Sequence, residues 1–218
     1  MEADVQKILY SFFGKFGVKA FAKGEIIVSP KTNKIFFLTQ GVVRMSVASK
    51  KKREITLNIY KPHALFTMSL VFDIGNHYLY EALTEAQGYL APANVFRQFI
   101  NKNHAVLFDL IKRVYLGLDG YFTIIEALLS GDAYYRILTQ LIIYARRFGK
   151  LKQGIITFDW HLTHEQLASQ TGLARESVTK EIKKLQDKNL LGYSGKRIFI
   201  YSLSELEEEC FSHLSKIR

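Results

Sequence analysis

The sequence predicts an α+β protein in three consecutive parts: an N-terminal antiparallel β-roll at 1–103, a long helix at 104–130 and a C-terminal winged helix-turn-helix at 131–218. Apolar residues alternate in short runs in the first part and recur every three or four residues in the second. The third part shows two short helical periods followed by a hairpin pattern. A chain of 218 residues is long enough for two units with separate cores.

The composition is that of a folded protein that does not enter a membrane. Charged residues interrupt the apolar stretches before the ~18 residues that a membrane span requires. The acidic N-terminus lacks the basic start and apolar core of an export signal, so we expect a cytoplasmic protein. The single cysteine, Cys210, excludes an internal disulfide and cannot hold an iron–sulfur cluster alone, because such a cluster needs about four thiolates.

Positive charge is concentrated in the last third of the chain. The formal net charge is +10, and residues 133–204 contain 12 Lys and Arg against 5 Asp and Glu. A polyanion such as DNA favours such a patch because binding releases counterions. Scattered lysines on a soluble basic protein would give the same total, so charge alone leaves both interpretations open.

Short β-branched and aromatic runs predict strands between Phe21 and Pro92. Residues 35–38 and 42–47 are separated by a Gln-Gly turn, and residues 55–60 alternate cleanly. Many short strands without an intervening long helix predict a small antiparallel roll. The basic residues 50–53 fall between two strands, and we interpret them as the solvated tip of a hairpin.

From Ala105 onward, apolar residues keep helical spacing over roughly six turns. A helix of ~25 residues is longer than a small domain needs for its own packing. We therefore predict that its apolar stripe pairs with the same stripe of a second chain. The predicted dimer residues are Leu107, Leu110, Ile111, Val114, Leu118, Tyr121, Phe122 and Ile125.

A helix-turn-helix is predicted after residue 162. Thr163, followed three residues later by Gln166, has the pattern of a capping box, and Gly172 permits the positive φ of a tight turn. A second helix at about 174–189 follows, and apolar spacing turns Val178, Ile182 and Leu185 inward. This second helix would then be docked by one face and open on the other.

The open face carries the residues expected to meet DNA. Arg175, Glu176 and Lys180 lie together near its start, which suits insertion into the major groove as base contacts. Residues 194–197 lead into 198–201 as a hairpin wing with a basic turn beside the groove. The predicted contacts to the DNA backbone are Thr163, Ser177, Thr179, Lys183, Lys196 and Arg197.

These motifs resemble the Crp/Fnr family of bacterial transcription regulators. The resemblance implies a sensory roll of the cyclic-nucleotide-binding type, a dimerisation helix and a DNA-binding domain. It also implies that Arg175 contacts guanine and Glu176 contacts cytosine, which agrees with their hydrogen-bonding groups. The family usually has a second arginine where this chain has Lys180, and without the planar fork we expect a relaxed base preference there. The residues that carry the resemblance are 162–168, Gly172, 175–180 and 185–191, together with 23–27, 35–38 and 41–44.

The resemblance also bears on the effector. Relatives that bind cyclic AMP hold its phosphate with an Arg-Ser pair and its ribose with a Gly-Glu pair, where this chain has Asn76-His77 and Thr67-Met68. A buried phosphate without a guanidinium lacks its main countercharge, so we predict no tight cyclic-nucleotide binding. The candidate effector residues are Phe66, Met68, Asn76, His77, Tyr78 and Tyr80, although the aromatic ones would equally serve to fill the roll.

Metal and haem sites are not predicted. The roll contains no paired cysteines and no close pair of histidines. His77 as a haem ligand is a weaker interpretation than His77 as a surface or packing imidazole. His161 and His164 lie three residues apart near a helix start, where we interpret them as capping or solvated residues rather than ligands.

The function predicted from the sequence is DNA binding, not catalysis. The chain has no Gly-rich phosphate loop, no nucleophile elbow and no metal-spaced carboxylates. The expected partners are a near-palindromic double-stranded DNA site, a second copy of the chain and, for an activator, RNA polymerase, with no membrane. The alternative is a sensory roll that acts through small-molecule or protein contacts and carries a weak or vestigial DNA-binding domain.

Overall fold

The computed structural model describes residues 3–48, 54–195 and 197–217. The chain divides into two compact units, Met1–Leu116 and Gly117–Arg218, and the predicted α+β class is confirmed. The predicted hairpin tip at 50–53 and the predicted phosphate contact Lys196 lie outside the described residues. Among the described helices, none has both the length and the apolarity that crossing a membrane requires.

The first unit contains two antiparallel four-stranded sheets that share a core, which confirms the predicted roll. Phe36 and Leu38 of one sheet and Met45 and Tyr80 of the other belong to this core. The first sheet has the order β1 (Val18–Phe21), β8 (Ala86–Pro92), β3 (Lys34–Gln40) and β6 (Leu65–Phe66), and the second has β2 (Ile26–Val28), β7 (Leu79–Ala82), β4 (Val43–Ala48) and β5 (Glu54–Tyr60).

Strand β3 is buried on both faces. Phe36 and Leu38 point into the core between the sheets, while Ile35 and Phe37 pack on two helices, α1 (Ala3–Phe13) and α2 (Ala93–Lys102). Burial of both faces explains why this strand is a continuous apolar run instead of an alternating one. The two helices were not predicted from the sequence.

A single helix of 27 residues, α3 (His104–Ser130), follows α2 along the chain. Its start packs on the roll through Val106 and Leu110, which are buried in the cluster that α1 and α2 also form. Farther along, Ala127 is its one buried hydrophobic residue among those that the structure describes. Most of its apolar residues are therefore left uncovered by their own chain.

The second unit begins with α4 (Ala133–Phe148), which Asp132 caps by accepting a hydrogen bond of 2.9 Å from the Tyr135 backbone N–H. It continues with β9 (Lys150–Lys152), β10 (Ile155–Thr157), α5 (His164–Thr171), α6 (Arg175–Asp187), β11 (Leu191–Ser194), β12 (Arg197–Ile200) and α7 (Leu203–Ile217). The strands form one antiparallel sheet of order β11-β12-β10-β9. Helix α6 is thus shorter at both ends than the predicted 174–189, and β9 was not predicted.

An aromatic cluster anchors α4 to the loop before α5. Tyr144 and Phe148 of α4 meet Trp160 edge to face, at ring-centroid distances of 5.7 and 5.0 Å. Phe158 completes the cluster, and all four side chains are buried. This packing fixes the end of the loop at Thr163. Helix α5, the first of the two helices of the DNA-binding motif, begins directly after it.

Candidate DNA-binding site

Helix α5 starts with the predicted capping box. The Thr163 hydroxyl accepts a hydrogen bond of 3.1 Å from the Gln166 backbone N–H, and the Gln166 side-chain oxygen accepts one of 3.2 Å from the Thr163 backbone N–H. The helix ends at Gly172, whose φ of 68° lies in the left-handed region that favours glycine. The local sequence therefore fixes where the first helix begins and where the turn occurs.

We predict that Thr163→Ala lowers the free energy of unfolding of the second unit by about 1 kcal/mol, because the Gln166 N–H loses its acceptor. Trp160 is the only tryptophan of the chain and is buried in this unit, so its fluorescence in a urea titration reports the change. Thr163→Ser keeps the hydroxyl and is the matched control. An equal stability for the alanine and serine variants would contradict the capping role.

Helix α6 is docked by one face. Val178, Ile182 and Leu185 are almost fully buried, at the three- and four-residue spacing predicted for them. Glu181 on the edge of this face is buried as well, and it pairs with Lys184 at 2.6 Å. Because the docked residues share one side of the helix, the other side is free to face a partner.

The three predicted base-reading residues are all exposed on α6. Arg175 and Glu176 lie in its first turn, and Lys180 follows Glu176 by about one turn. Among the described contacts, none of the three has an ion-pair partner, unlike Lys184 and the Lys188 that pairs with Glu209. A guanidinium, a carboxylate and an ammonium are thus presented together without being neutralised by their own chain.

The predicted backbone-contact residues surround this face. Thr179 and Lys183 are exposed on α6, and Ser177 is half-buried. The wing is formed by β11 and β12, which pair antiparallel with Ser194 opposite Arg197, and Arg197 is exposed. Thr163 is half-buried and its hydroxyl already accepts the capping hydrogen bond.

His164 makes contacts with two other elements that were not predicted from the sequence. The sequence predicted a capping or solvated residue; the structure has Thr163 as the cap, leaves His164 half-buried, and places its ring nitrogens 2.9 Å from Thr179 of α6 and 2.6 Å from Tyr193 of β11. Burial, together with the positive charge of Arg175, lowers the pKa of His164 below its usual range. The sequence around His164 does not predict these two contacts, because the partners are 15 and 29 residues away along the chain.

The predicted effector residues are not brought together at one site. The ring of Phe66 stacks on the ring of Tyr80 at 4.7 Å inside the roll, whereas Met68 packs on the helical cluster outside it. His77 and Tyr78 are exposed. The packing thus favours the alternative in which the aromatic residues fill the roll.

Two of the residues aligned with the cyclic-nucleotide contacts of relatives are buried and hydrogen-bonded within their own chain. Asn76 is buried and its amide donates to the backbone carbonyls of Ser29 and Tyr78, at 3.3 and 2.9 Å. Thr67 is also buried, and its hydroxyl donates to the carbonyl of Lys34 at 2.7 Å. Neither position supplies a cation for a phosphate. Among the described residues, no three His, Cys, Asp or Glu side chains are grouped as metal ligands would be.

Seven of the large exposed apolar residues of α3 form one seam. They follow each other at alternating spacings of three and four residues, which is the heptad pattern of paired helices. Of the predicted dimer residues, Leu110 is buried in its own unit, Leu107 and Tyr121 are half-buried, and Val114 is exposed beside the seam. The residues of the seam, between 42% and 83% exposed, are Phe108, Ile111, Tyr115, Leu118, Phe122, Ile125 and Leu129.

Two family models match the chain, one for each unit. The model of the cyclic nucleotide-binding domain matches residues 18–103, and the model of the Crp-like helix-turn-helix domain matches residues 135–209. Together they cover most of the chain, in the order that the sequence predicted.

Characterised relatives span nearly the whole chain. It is 28% identical over 203 residues to the transcriptional regulator LdrP of Thermus thermophilus, covering 90% of this chain and 98% of that protein. It is 26% identical over 201 residues to the global nitrogen regulator of Synechocystis, covering 88% of each. The solved structure of a CooA mutant from Carboxydothermus hydrogenoformans has the same fold, with a TM-score of 0.74 at 21% identity over 92% of this chain and 90% of that one. The chain therefore belongs to the Crp/Fnr family of transcription regulators.

Proposed function

We propose that the protein is a homodimeric regulator that binds a near-palindromic double-stranded DNA site and reads each half-site with α6. The observation that carries the proposal is the exposure of Arg175, Glu176 and Lys180, which form no ion pair with the described residues, on a helix docked by its opposite face. The Arg175 guanidinium matches the two acceptors of guanine, and the Glu176 carboxylate accepts from the cytosine amine. Lys180 can donate to guanine without the bidentate geometry.

Side chains around α6 would position the duplex without reading its sequence. Lys183 on α6 and Arg197 on the wing carry exposed positive charges. Thr163 and Ser177 supply half-buried hydroxyl groups, whereas the predicted contact Thr179 uses its hydroxyl proton on the Arg175 backbone carbonyl. The proposed role of Lys196 rests on the sequence alone. Contacts of these kinds to phosphates fix register, and they make affinity depend steeply on salt.

The second copy of the chain would pair through the seam of α3. Seven large apolar side chains in heptad spacing give an exposed stripe over several turns, which a soluble protein rarely leaves open to water. An identical stripe on another chain has the complementary spacing for knobs-into-holes packing. A symmetric pair of chains has a two-fold axis. The two α6 helices that this axis relates would read two half-sites about one helical turn apart.

The proposed regulator works without cyclic AMP, haem or an iron–sulfur cluster. Phe36, Phe66 and Tyr80 stack in series within the roll, with ring centroids 4.7 Å apart at each step. In addition, the hydroxyl of Thr67 and the amide of Asn76 donate hydrogen bonds to backbone carbonyls of their own chain. If the operator lies upstream of a promoter, RNA polymerase would be the further partner.

We predict that cyclic AMP leaves the thermal unfolding midpoint of the protein unchanged. A ligand present at 100 times its dissociation constant would stabilise the folded state by about 2.7 kcal/mol and raise the midpoint by several degrees. Calorimetric titration gives an independent measurement. Saturable heat at one nucleotide per subunit would contradict this part of the proposal.

The experiment that tests the proposed function is selection of binding sites from random duplex DNA by the purified protein. Recovery of a near-palindrome whose half-sites are about one turn apart is expected. The matched control is the double variant Arg175→Ala, Glu176→Ala, from which no palindrome should emerge. Recovery of no shared sequence by the unsubstituted protein, alone and with cell metabolites added, would favour a sensory protein with a vestigial DNA-binding domain.

A further inference from the structure

His164 joins the three parts of the DNA-binding surface. It is the first residue of α5, its Nδ1 lies 2.9 Å from the Thr179 hydroxyl on α6, and its Nε2 lies 2.6 Å from the Tyr193 hydroxyl on β11. The ring is therefore held between the base-reading helix and the wing. Thr179 in turn donates to the backbone carbonyl of Arg175 at 2.9 Å.

The hydrogen bonds assign the proton on the ring. Because the single proton of the Thr179 hydroxyl is used on the Arg175 carbonyl, the hydroxyl accepts from His164, so Nδ1 carries a hydrogen. The neutral ring then has its lone pair on Nε2, where it accepts from the Tyr193 hydroxyl. Protonation at Nε2 would reverse this last hydrogen bond and would leave the other in place.

The groups around His164 favour its neutral form in the free protein. Partial burial disfavours the charged ring, and Arg175 of α6 repels a second positive charge, so the pKa of His164 is lowered. Tyr193 of β11 has a raised pKa because it is half-buried, and it remains a neutral hydroxyl. Bound DNA would have the opposite effect on the pKa of His164, because phosphates within about 10 Å of the ring favour its protonated form.

We propose that His164 is a positioning residue that ties α6 to the wing and that takes up a proton when DNA binds, so that affinity for DNA increases as the pH falls. The inference rests on the proposed function. The sign of the pH dependence follows from proton linkage. The pKa of His164 is lowered in the free protein and would be raised beside phosphate. At pH values between these two pKa values, the complex therefore binds more protons than the free protein does. Within that window, affinity rises at most about tenfold per pH unit for each subunit.

The test is the affinity of the full-length protein for its selected duplex, measured by fluorescence anisotropy from about pH 8 to pH 5.5 at constant ionic strength. His164→Gln supplies an amide that can donate to Thr179 and accept from Tyr193 but cannot be protonated in this range. We expect it to flatten the pH profile, whereas His161→Gln, three residues away, should keep the profile of the unsubstituted protein. We also expect His164→Ala to weaken binding at pH 8 more than His164→Gln does.

Two results would overturn the inference. A pH profile that is as steep in His164→Gln as in the unsubstituted protein, with the preference for the selected duplex intact, would exclude proton uptake at this residue. Equal affinities of the alanine and glutamine variants at pH 8 would exclude the positioning role. If the unsubstituted protein binds selected and scrambled duplexes equally, the proposed function fails, and the inference fails with it.

Discussion

Replacing Phe122 by Asp is expected to convert the protein to monomers and to weaken binding to a full palindrome by about 10²- to 10⁴-fold. Phe122 lies in the middle of the seam of α3 and is 63% exposed in the single chain. In a symmetric pair its side chain and the same side chain of the second copy would both be buried. Two unpaired carboxylates at that place would cost several kcal/mol.

The loss of DNA affinity follows from the loss of bivalency. A dimer that engages one half-site presents its second α6 to the other half-site at a high effective concentration, and a monomer does not. Sedimentation equilibrium gives the subunit number, and anisotropy with one-half-site and two-half-site duplexes gives the affinity. We expect the variant to bind both duplexes with the same weak affinity.

Leu116 offers a matched control on the same helix. It is 67% exposed, much like Phe122, but it lies outside the heptad spacing of the seam. Leu116→Asp should therefore remain dimeric and bind the palindrome normally. A dimeric Phe122→Asp, or dissociation that is equal in the two variants, would contradict the assignment of the seam.

Replacing Arg175 by Ala is expected to reduce the discrimination between the selected duplex and a scrambled one by about 1–3 kcal/mol for each half-site. The guanidinium is exposed at the start of α6 and has no ion-pair partner among the described contacts, so the variant should fold normally. The variant loses the guanidinium, whose two parallel N–H donors fit the two acceptors of one guanine. Competition binding with single base-pair changes should show relaxed preference at that one position.

Lys183→Ala is the comparison that separates base reading from phosphate contact. Lys183 is exposed on the same helix, two turns beyond Arg175. Its substitution should weaken binding to selected and scrambled duplexes alike and reduce the salt slope by about 1. If Arg175→Ala behaved in this uniform way too, its assignment as a base-reading residue would be wrong.

Features that depend on a few neighbouring residues were predictable from the sequence. The capping box of Thr163 and Gln166, the turn at Gly172 and the docked face of α6 are present as predicted, because each depends on spacing within one or two helical turns. The long helix α3 follows from the same periodicity.

Features that depend on distant residues were not predictable. What packs against each face of β3 could not be predicted from the strand itself, because burial of both faces removes the alternation that marks a strand's solvent side. Periodicity placed Leu110 in the dimer seam, whereas the structure buries it in its own unit and leaves Phe108 exposed instead. Phe66 and Tyr80 likewise looked like candidates for an effector pocket until their rings were found stacked on each other.

The sequence by itself thus determined the order of the parts, the start of α5, the turn that follows it and the residues on the open face of α6. Those properties follow from local hydrogen bonding and helical repeat. Only the tertiary structure decided which apolar residues the chain covers for itself and which it leaves for a partner, and that His164 meets Thr179 and Tyr193. The physical reason is that such contacts depend on how separate elements pack, and a periodic pattern specifies a face of an element without specifying what lies against it.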